Sequence, residues 1–232
     1  MARAGVVRVL SPSAMHSSLE PIVEAHRKQG GVEVRLTFET APVLTMRLAA
    51  GEAADVIIAP PGVLDELVKM GKAHPEGCFQ LGRVGVGVVV RADAPLPDVS
   101  STEALKRSLL EAEAIIYNRA SSGLHVARTL ERLGVAAEIK AKITLYDDAT
   151  GSFTRLLNGR GREIGFGGIT EIRRWRDKGL RLVAPLPADI QNYTAYMAAL
   201  AADPPNPGGA RTFLRFLGSP AAKAIFAANG VD

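Results

Sequence analysis

Val32-Glu33-Val34-Arg35-Leu36-Thr37-Phe38-Glu39-Thr40-Ala41-Pro42 is the stretch that decides the fold. Val32 to Glu39 alternate apolar and polar strictly, the period-two pattern of a half-buried strand. Thr40 then stands where a helix cap stands, ahead of a helical run through Leu48 that ends near Gly51. A strand leads directly into a helix start.

The same unit recurs on either side. Upstream, Val6 to Leu10 is a short apolar strand. Leu19, Ile22, Val23 and His26 then share one helical face, and Gly30-Gly31 stops that helix. Ser17 and Glu20 have the spacing of a capping box, with Pro21 in the first turn. Downstream, Asp55 to Ala59 is a third strand, and Pro61-Gly62 opens a helix carrying Leu64, Leu67, Val68 and Met70. Alternating strands and helices predict parallel sheets flanked by helices, hence an α/β fold.

The second half repeats the alternation. Val84 to Val90 and Ala114 to Tyr117 are strands, with a helix around Leu105 and Leu109 between them, capped by Ser101 or Thr102. Ser121-Ser122-Gly123 leads a helix in which Leu124, Ala127, Leu130 and Leu133 share a face. Ala149 to Leu157 reads as a helix, Gly165 to Gly168 as a strand and Thr170 to Lys178 as a basic helix. Leu180 to Ala184 and Thr194 to Ala201 are strands, and two helices finish the chain. Two similar units are expected, with a boundary near Phe79 to Arg83 and a return near Val183 to Ala188.

Composition narrows the function classes. Among 232 residues, 47% are hydrophobic and 22% charged, which excludes disorder, collagen and coiled coil as the main class. A single cysteine, Cys78, excludes an intramolecular disulfide framework and a cysteine-built zinc site. His16, His26, His74 and His125 show no metal-ligand spacing, so no metal and no cofactor are expected. The glycines at Gly85-Val86-Gly87 and Gly165-Phe166-Gly167-Gly168 lack the spacing of a nucleotide loop, and no Gly-x-Ser-x-Gly elbow occurs.

The arginine-rich stretch from Arg155 to Arg181 has only Trp175 as an aromatic companion. It reads as a solvated face or a transporter-facing surface, not a nucleic-acid site. The net charge of +4 is a mild basic excess that suits small anions. No run is long enough to span a membrane. Met1 to Gly5 and the apolar run after it lack the length and cleavage site of an export signal. A cytoplasmic location is expected if the chain is complete, and a periplasmic one if a signal has been removed.

The informative feature lies between strand ends and helix starts. Ser11-Pro12-Ser13-Ala14-Met15-His16, Thr40-Ala41-Pro42, Asn118-Arg119-Ala120-Ser121-Ser122-Gly123 and Asp148-Ala149-Thr150-Gly151-Ser152 are all corners of small polar residues. In open parallel sheets ligands bind beyond the carboxyl ends of the strands. Helix N-termini there offer unpaired N–H groups and a positive dipole end. Such corners form an anion site that needs little formal charge. Serine and threonine at a helix start are also ordinary caps, so convergence and capping are alternatives.

Taken in order, these segments resemble the molybdate-binding class of periplasmic substrate-binding proteins. The resemblance rests on four segments. They are the first strand with its serine corner, and Phe38 to Pro42 followed by Leu48-Ala49-Ala50-Gly51-Glu52-Ala53-Ala54-Asp55-Val56. The others are Ser121-Ser122-Gly123 opening a long helix, and Phe213 to Ala222 with Phe226 and Gly230. It covers nearly the whole chain.

The resemblance implies a type II periplasmic-binding-protein-like fold of two lobes, each a mostly parallel sheet flanked by helices, with a ligand cleft between them. Lobe one would hold residues 1–81 and 184–232, and lobe two residues 82–183. It places ligand contacts at Ser13, Ala14, Met15, Thr40, Ala41, Asn118, Ser121, Ser122, Gly123, Thr150 and Gly168. Molybdate binders carry serine where Ala14 and Ala41 stand, and tyrosine where Gly168 stands. Losing hydroxyl donors to a buried dianion costs about 1–3 kcal/mol each. The departure favours a larger organic di- or tricarboxylate over molybdate.

The implied role is the binding component of an ABC-type transporter, a monomer whose partners are the anion and a membrane complex. Aconitate isomerase resembles the same superfamily and moves a proton across an allylic unit without metal. On that alternative His16 is the candidate base, with Tyr117 and Asp148 behind it and Arg119 pairing a substrate carboxylate. A cytoplasmic small-anion sensor is the third reading.

Overall fold

The computed structural model describes residues 5–232; Met1 to Ala4, read above for an export signal, lie outside the described residues. The chain forms two compact units, Met1–Arg83 with Ala195–Asp232, and Val84–Thr194.

In the first unit β1 (Val7–Pro12), β2 (Val34–Glu39) and β3 (Val56–Ala59) alternate with α1 (His16–Lys28), α2 (Ala41–Ala49) and α3 (Pro61–Lys69). β1 is central and parallel to both neighbours, with Val7 opposite Val34 and Val9 opposite Val56. Every residue of β3 is buried, as expected of a strand covered on both faces. β2 is an edge strand whose residues are mostly half-buried. Leu44, Leu48, Leu64 and Leu67 pack from α2 and α3 onto Leu10 and Ile57. Asp55, fully buried, accepts the N–H of Arg8 at 2.7 Å and of Asn206 at 2.5 Å. The acidic residue ahead of β3 therefore ties the sheet together.

The second unit takes β4 (Phe79–Arg91), α4 (Thr102–Glu111), β5 (Ala114–Asn118), α5 (Ser121–Arg132) and α6 (Ala136–Ile139). β6 (Ile143–Tyr146), α7 (Ala149–Leu157), β7 (Glu163–Gly168), α8 (Ile169–Arg174) and β8 (Leu180–Pro185) follow. β5 lies between β6 and β7 and is parallel to both. β4 runs antiparallel to β7 and to β8. Period two on β5 puts Ile115 and Tyr117 into one core with Val126, Leu130 and Phe166, and Ile116 into another with Phe153, Leu156 and Trp175. The glycines of β7 serve this packing: a Cβ on Gly167 would stand 2.7 Å from the Phe153 ring.

β8 pairs with β4 inside the second unit, so the return falls at Ala195 rather than near Val183 to Ala188. β9 (Tyr193–Leu200) carries the chain back and pairs antiparallel with β3. α9 (Pro207–Leu217) and α10 (Pro220–Ala228) bury Phe213, Leu217 and Phe226.

Local readings change in three places. Ser13–Met15 forms a 3-10 turn, so α1 starts at His16 and Ser17 is inside the helix rather than capping it. Glu20 instead pairs with His16 at 3.3 Å, and Pro21 falls inside the helix, beyond its first turn. The basic helix expected over Thr170 to Lys178 is α8 and a 3-10 turn, Arg176–Lys178, ended by Gly179 at φ 105°. Trp175 between them is buried, edge-on to Phe153 at 5.8 Å, so it anchors the core and is not offered to a partner.

Candidate functional site

α1, α2 and α3 begin beyond the carboxyl ends of the mutually parallel β1, β2 and β3, and α5, α7 and α8 beyond those of β5, β6 and β7. These are the strand ends at which an open parallel sheet takes its ligand. All four corners picked out by sequence fall here.

In the first unit Thr40 occupies the cap position of α2 with extended backbone, yet its side chain makes no capping bond. Ser13 and Ala14 are half-buried in the 3-10 turn before α1. Met15 is fully buried, so its side chain belongs to the core. Ala41 opens α2, half-buried. His16 stacks on Phe38 with ring centroids 4.1 Å apart, as well as pairing with Glu20. Ser17, which the sequence reading assigned to capping, has a buried hydroxyl with no partner among the described residues.

In the second unit α5 packs directly over the end of β5. A Cβ on Gly123 would lie 1.6 Å from the Asn118 carbonyl oxygen, so only glycine allows this approach. Asn118 is 1% exposed. Its Oδ1 accepts the Ala120 N–H at 2.9 Å, whereas its Nδ2 is buried without a partner among the described residues. A buried donor left unmade costs about 1–3 kcal/mol, so a group that satisfies it is favoured. Ser121 and Ser122 are the first residues of α5, and neither side chain caps it. Thr150 is exposed in the first turn of α7.

The other candidates divide differently. Tyr117 packs among Val126, Leu130 and Ile190, and burial pushes its phenol up. That is a core position. Arg119 is exposed beside the exposed Asp147 at 3.4 Å. Asp148 caps α7, accepting the Gly151 N–H at 2.7 Å.

Glu171 was not singled out by sequence. It sits in the first turn of α8, three residues after Gly168. Burial is the chief cause that pushes its carboxyl up to about 7; Asp148 pushes the same way, while the Gly168 N–H and Arg174 pull it down. Its neighbours in sequence, Arg173, Arg174 and Arg176, drew the eye to basic charge instead. Two open cavities of the second unit lie elsewhere: about 360 Å³ beside Asp98, Arg107 and Glu163, and about 630 Å³ beside Arg173, Arg176 and Arg181. Neither contains a candidate residue. Among the described residues no cluster of ligating side chains could hold a metal, and no helix is long and apolar enough to cross a membrane.

Residues 7–232 match the family model described as bacterial extracellular solute-binding protein. The chain is 29% identical over 226 residues to an aconitate isomerase from a Pseudomonas species, covering 94% of this chain and 84% of that one. It is 22% identical over 235 residues to the molybdate-binding protein ModA of Escherichia coli K12, covering 99% and 90%. The periplasmic molybdate-binding protein of Azotobacter vinelandii superposes with a TM-score of 0.80 at 18% identity, covering 97% of this chain and 98% of that one.

Proposed function

Because the chain belongs to the bacterial extracellular solute-binding protein family, we propose that it binds a small organic di- or tricarboxylate. The carboxylates are received on hydroxyls and first-turn N–H groups beyond the carboxyl ends of parallel strands. One observation carries this reading. Thr40 holds the cap position of α2 without capping it, although serine and asparagine cap α4, α9 and α10; the cap positions before Ser13 and before Ser121-Ser122 are Pro12 and Ala120, which have no side-chain acceptor, so these hydroxyls stand inside the first turns. Hydroxyls at helix starts that cap nothing remain as donors for an incoming anion. The Nδ2 of Asn118, which has no partner among the described residues, adds a buried donor at the carboxyl end of β5.

The choice of carboxylate over molybdate rests on Ala14, Ala41 and Gly168. The first two remove hydroxyls from an oxyanion cage, and the third removes bulk. The relative named as an aconitate isomerase supports the same ligand class. The role that fits is a monomeric periplasmic binding component handing its anion to an ABC-type transporter.

A ligand that binds only the native state raises its melting temperature by mass action. The test is a thermal-shift panel of molybdate, tungstate, sulfate, phosphate, citrate, cis-aconitate and trans-aconitate. A shift with carboxylates is expected. A shift confined to molybdate and tungstate would overturn the assignment.

A further inference from the structure

We propose that the second unit carries a separate anion site at the other end of its sheet, in the cavity between α8 and β8. Its ligand is an organic polyanion: two or more carboxylate or phosphate groups on an apolar body.

The register of β4 sets the two ends apart. Val86 stands opposite Gly168, where β7 ends and α8 begins. Arg91 stands opposite Leu180, where β8 begins. Five strand residues separate them, about 17 Å. The cavity lies at the Leu180 end, with a volume of about 630 Å³, inside the range of about 300–1,000 Å³ that small-molecule sites occupy. Ile172, Leu180 and Leu182 form its apolar wall, the outer side of the core that holds Phe153 and Trp175. The Ala92 N–H donates to the Gly179 carbonyl at 2.9 Å and ties the end of β4 to the turn before β8.

Three guanidinium groups line this cavity: Arg173, Arg176 and Arg181. Arg173 ends near the last turn of α8, and Arg176 opens the 3-10 turn three residues on. Gly179, at φ 105°, then redirects the chain and sets Arg181 on the start of β8. None of the three side chains has a hydrogen bond or ion pair among the described residues. Arg91 and Arg155, by contrast, both hold the buried Glu163, at 3.4 and 2.8 Å. Asp177, beside Arg176 in the chain, is exposed and does not line the cavity.

Like charges around one cavity repel, and an anion seated among them reverses the sign. A guanidinium fork meets carboxylate or phosphate through two parallel hydrogen bonds. All three arginines are exposed, so each contact is screened and a single carboxylate gains little. The ligand therefore carries several charges, and the apolar wall selects its body.

The test is calorimetric titration of trimesate, a benzene ring bearing three carboxylates. The native chain is expected to bind it, more weakly as sodium chloride is added. Arg173→Gln, Arg176→Gln and Arg181→Gln combined should weaken binding roughly a hundredfold, with the melting temperature without ligand unchanged. Arg35→Gln, Arg132→Gln and Arg211→Gln combined remove the same charge from exposed positions outside the cavity and should leave the affinity within about twofold of native. Benzoate should bind about tenfold more weakly than trimesate, or worse. Absence of trimesate binding would overturn the proposal, and so would equal loss in the two triple variants or benzoate binding as tightly. Loss in a Thr40→Val, Ser122→Ala variant with retention in the cavity variant would assign trimesate to the strand ends and overturn it too. The carboxylate reading of the strand ends is judged separately, by the melting shift that citrate and trans-aconitate give the cavity variant.

Discussion

α4, α9 and α10 start with a side-chain oxygen closing the first turn: Ser101 on the Ala104 N–H, Asn206 on Gly209 and Ser219 on Ala222. α2 and α5 start with Thr40 and with Ser121-Ser122, and no side chain closes either turn. The cap position of α5 is Ala120, which has no side-chain acceptor, whereas Thr40 at α2 has a hydroxyl and leaves it unused. The preceding elements differ as well. α4 and α9 follow β4 and β9, which run antiparallel to their neighbours, and α10 follows a helix. α2 and α5 follow parallel strands. α7 also follows a parallel strand, β6, and Asp148 closes its first turn on the Gly151 N–H, so strand direction alone does not decide which helix starts are capped.

Substitutions can break this contrast. The largest effect is expected at Gly123. Its Cβ would meet the Asn118 carbonyl at 1.6 Å. Gly123→Ala should cost about 3 kcal/mol, the upper end of overpacking, measured by urea denaturation. Next come the free hydroxyls. Ser122→Ala and Thr40→Val should weaken carboxylate binding by about 1.5–3 kcal/mol each, roughly ten- to a hundredfold by calorimetry. The melting temperature without ligand should hardly move. The caps should behave in the opposite way: Ser101→Ala and Ser219→Ala should each lose about 1 kcal/mol of stability with affinity intact.

The pH dependence of stability contrasts the two units in a different way. Burial lowers the imidazole of His26, packed against Phe213 and Phe216, below its ordinary 6.5. The unfolded chain then binds this proton more readily, so stability should fall as pH drops below about 6.5. Glu171 has the opposite sign. Its folded carboxyl holds a proton up to about 7, above the ordinary 4.5, so its contribution is lost as pH rises between these values. Glu171→Gln, which mimics the neutral acid, should melt higher than the native chain at pH 8. Equal melting there would contradict the burial of this carboxyl.

Much of the fold was legible because it follows from period. Val34 to Glu39 and the all-apolar Val56 to Ala59 announce strands, and the helical spacing after each announces the crossover. The corners were legible as residue types only. Whether Thr40 caps or stays free depends on a hydroxyl torsion that composition does not encode. Ser17 and Glu20 have capping-box spacing, but a 3-10 turn moved the helix start to His16. Tyr117 looked like a site residue because it ends near a corner, yet strand alternation turns it into the core. Glu171 stayed hidden because the desolvation that raises its carboxyl comes from the tertiary fold, while the charged residues that follow it, Arg173, Arg174 and Arg176, are basic.

The measurement that bears most directly on the account is calorimetric titration of citrate and trans-aconitate into the native chain and into the Thr40→Val, Ser122→Ala double variant. The account predicts binding to the native chain, loss of that binding in the double variant, and an unchanged melting temperature without ligand. A double variant that binds as well as the native chain but melts lower would show that these hydroxyls are caps after all.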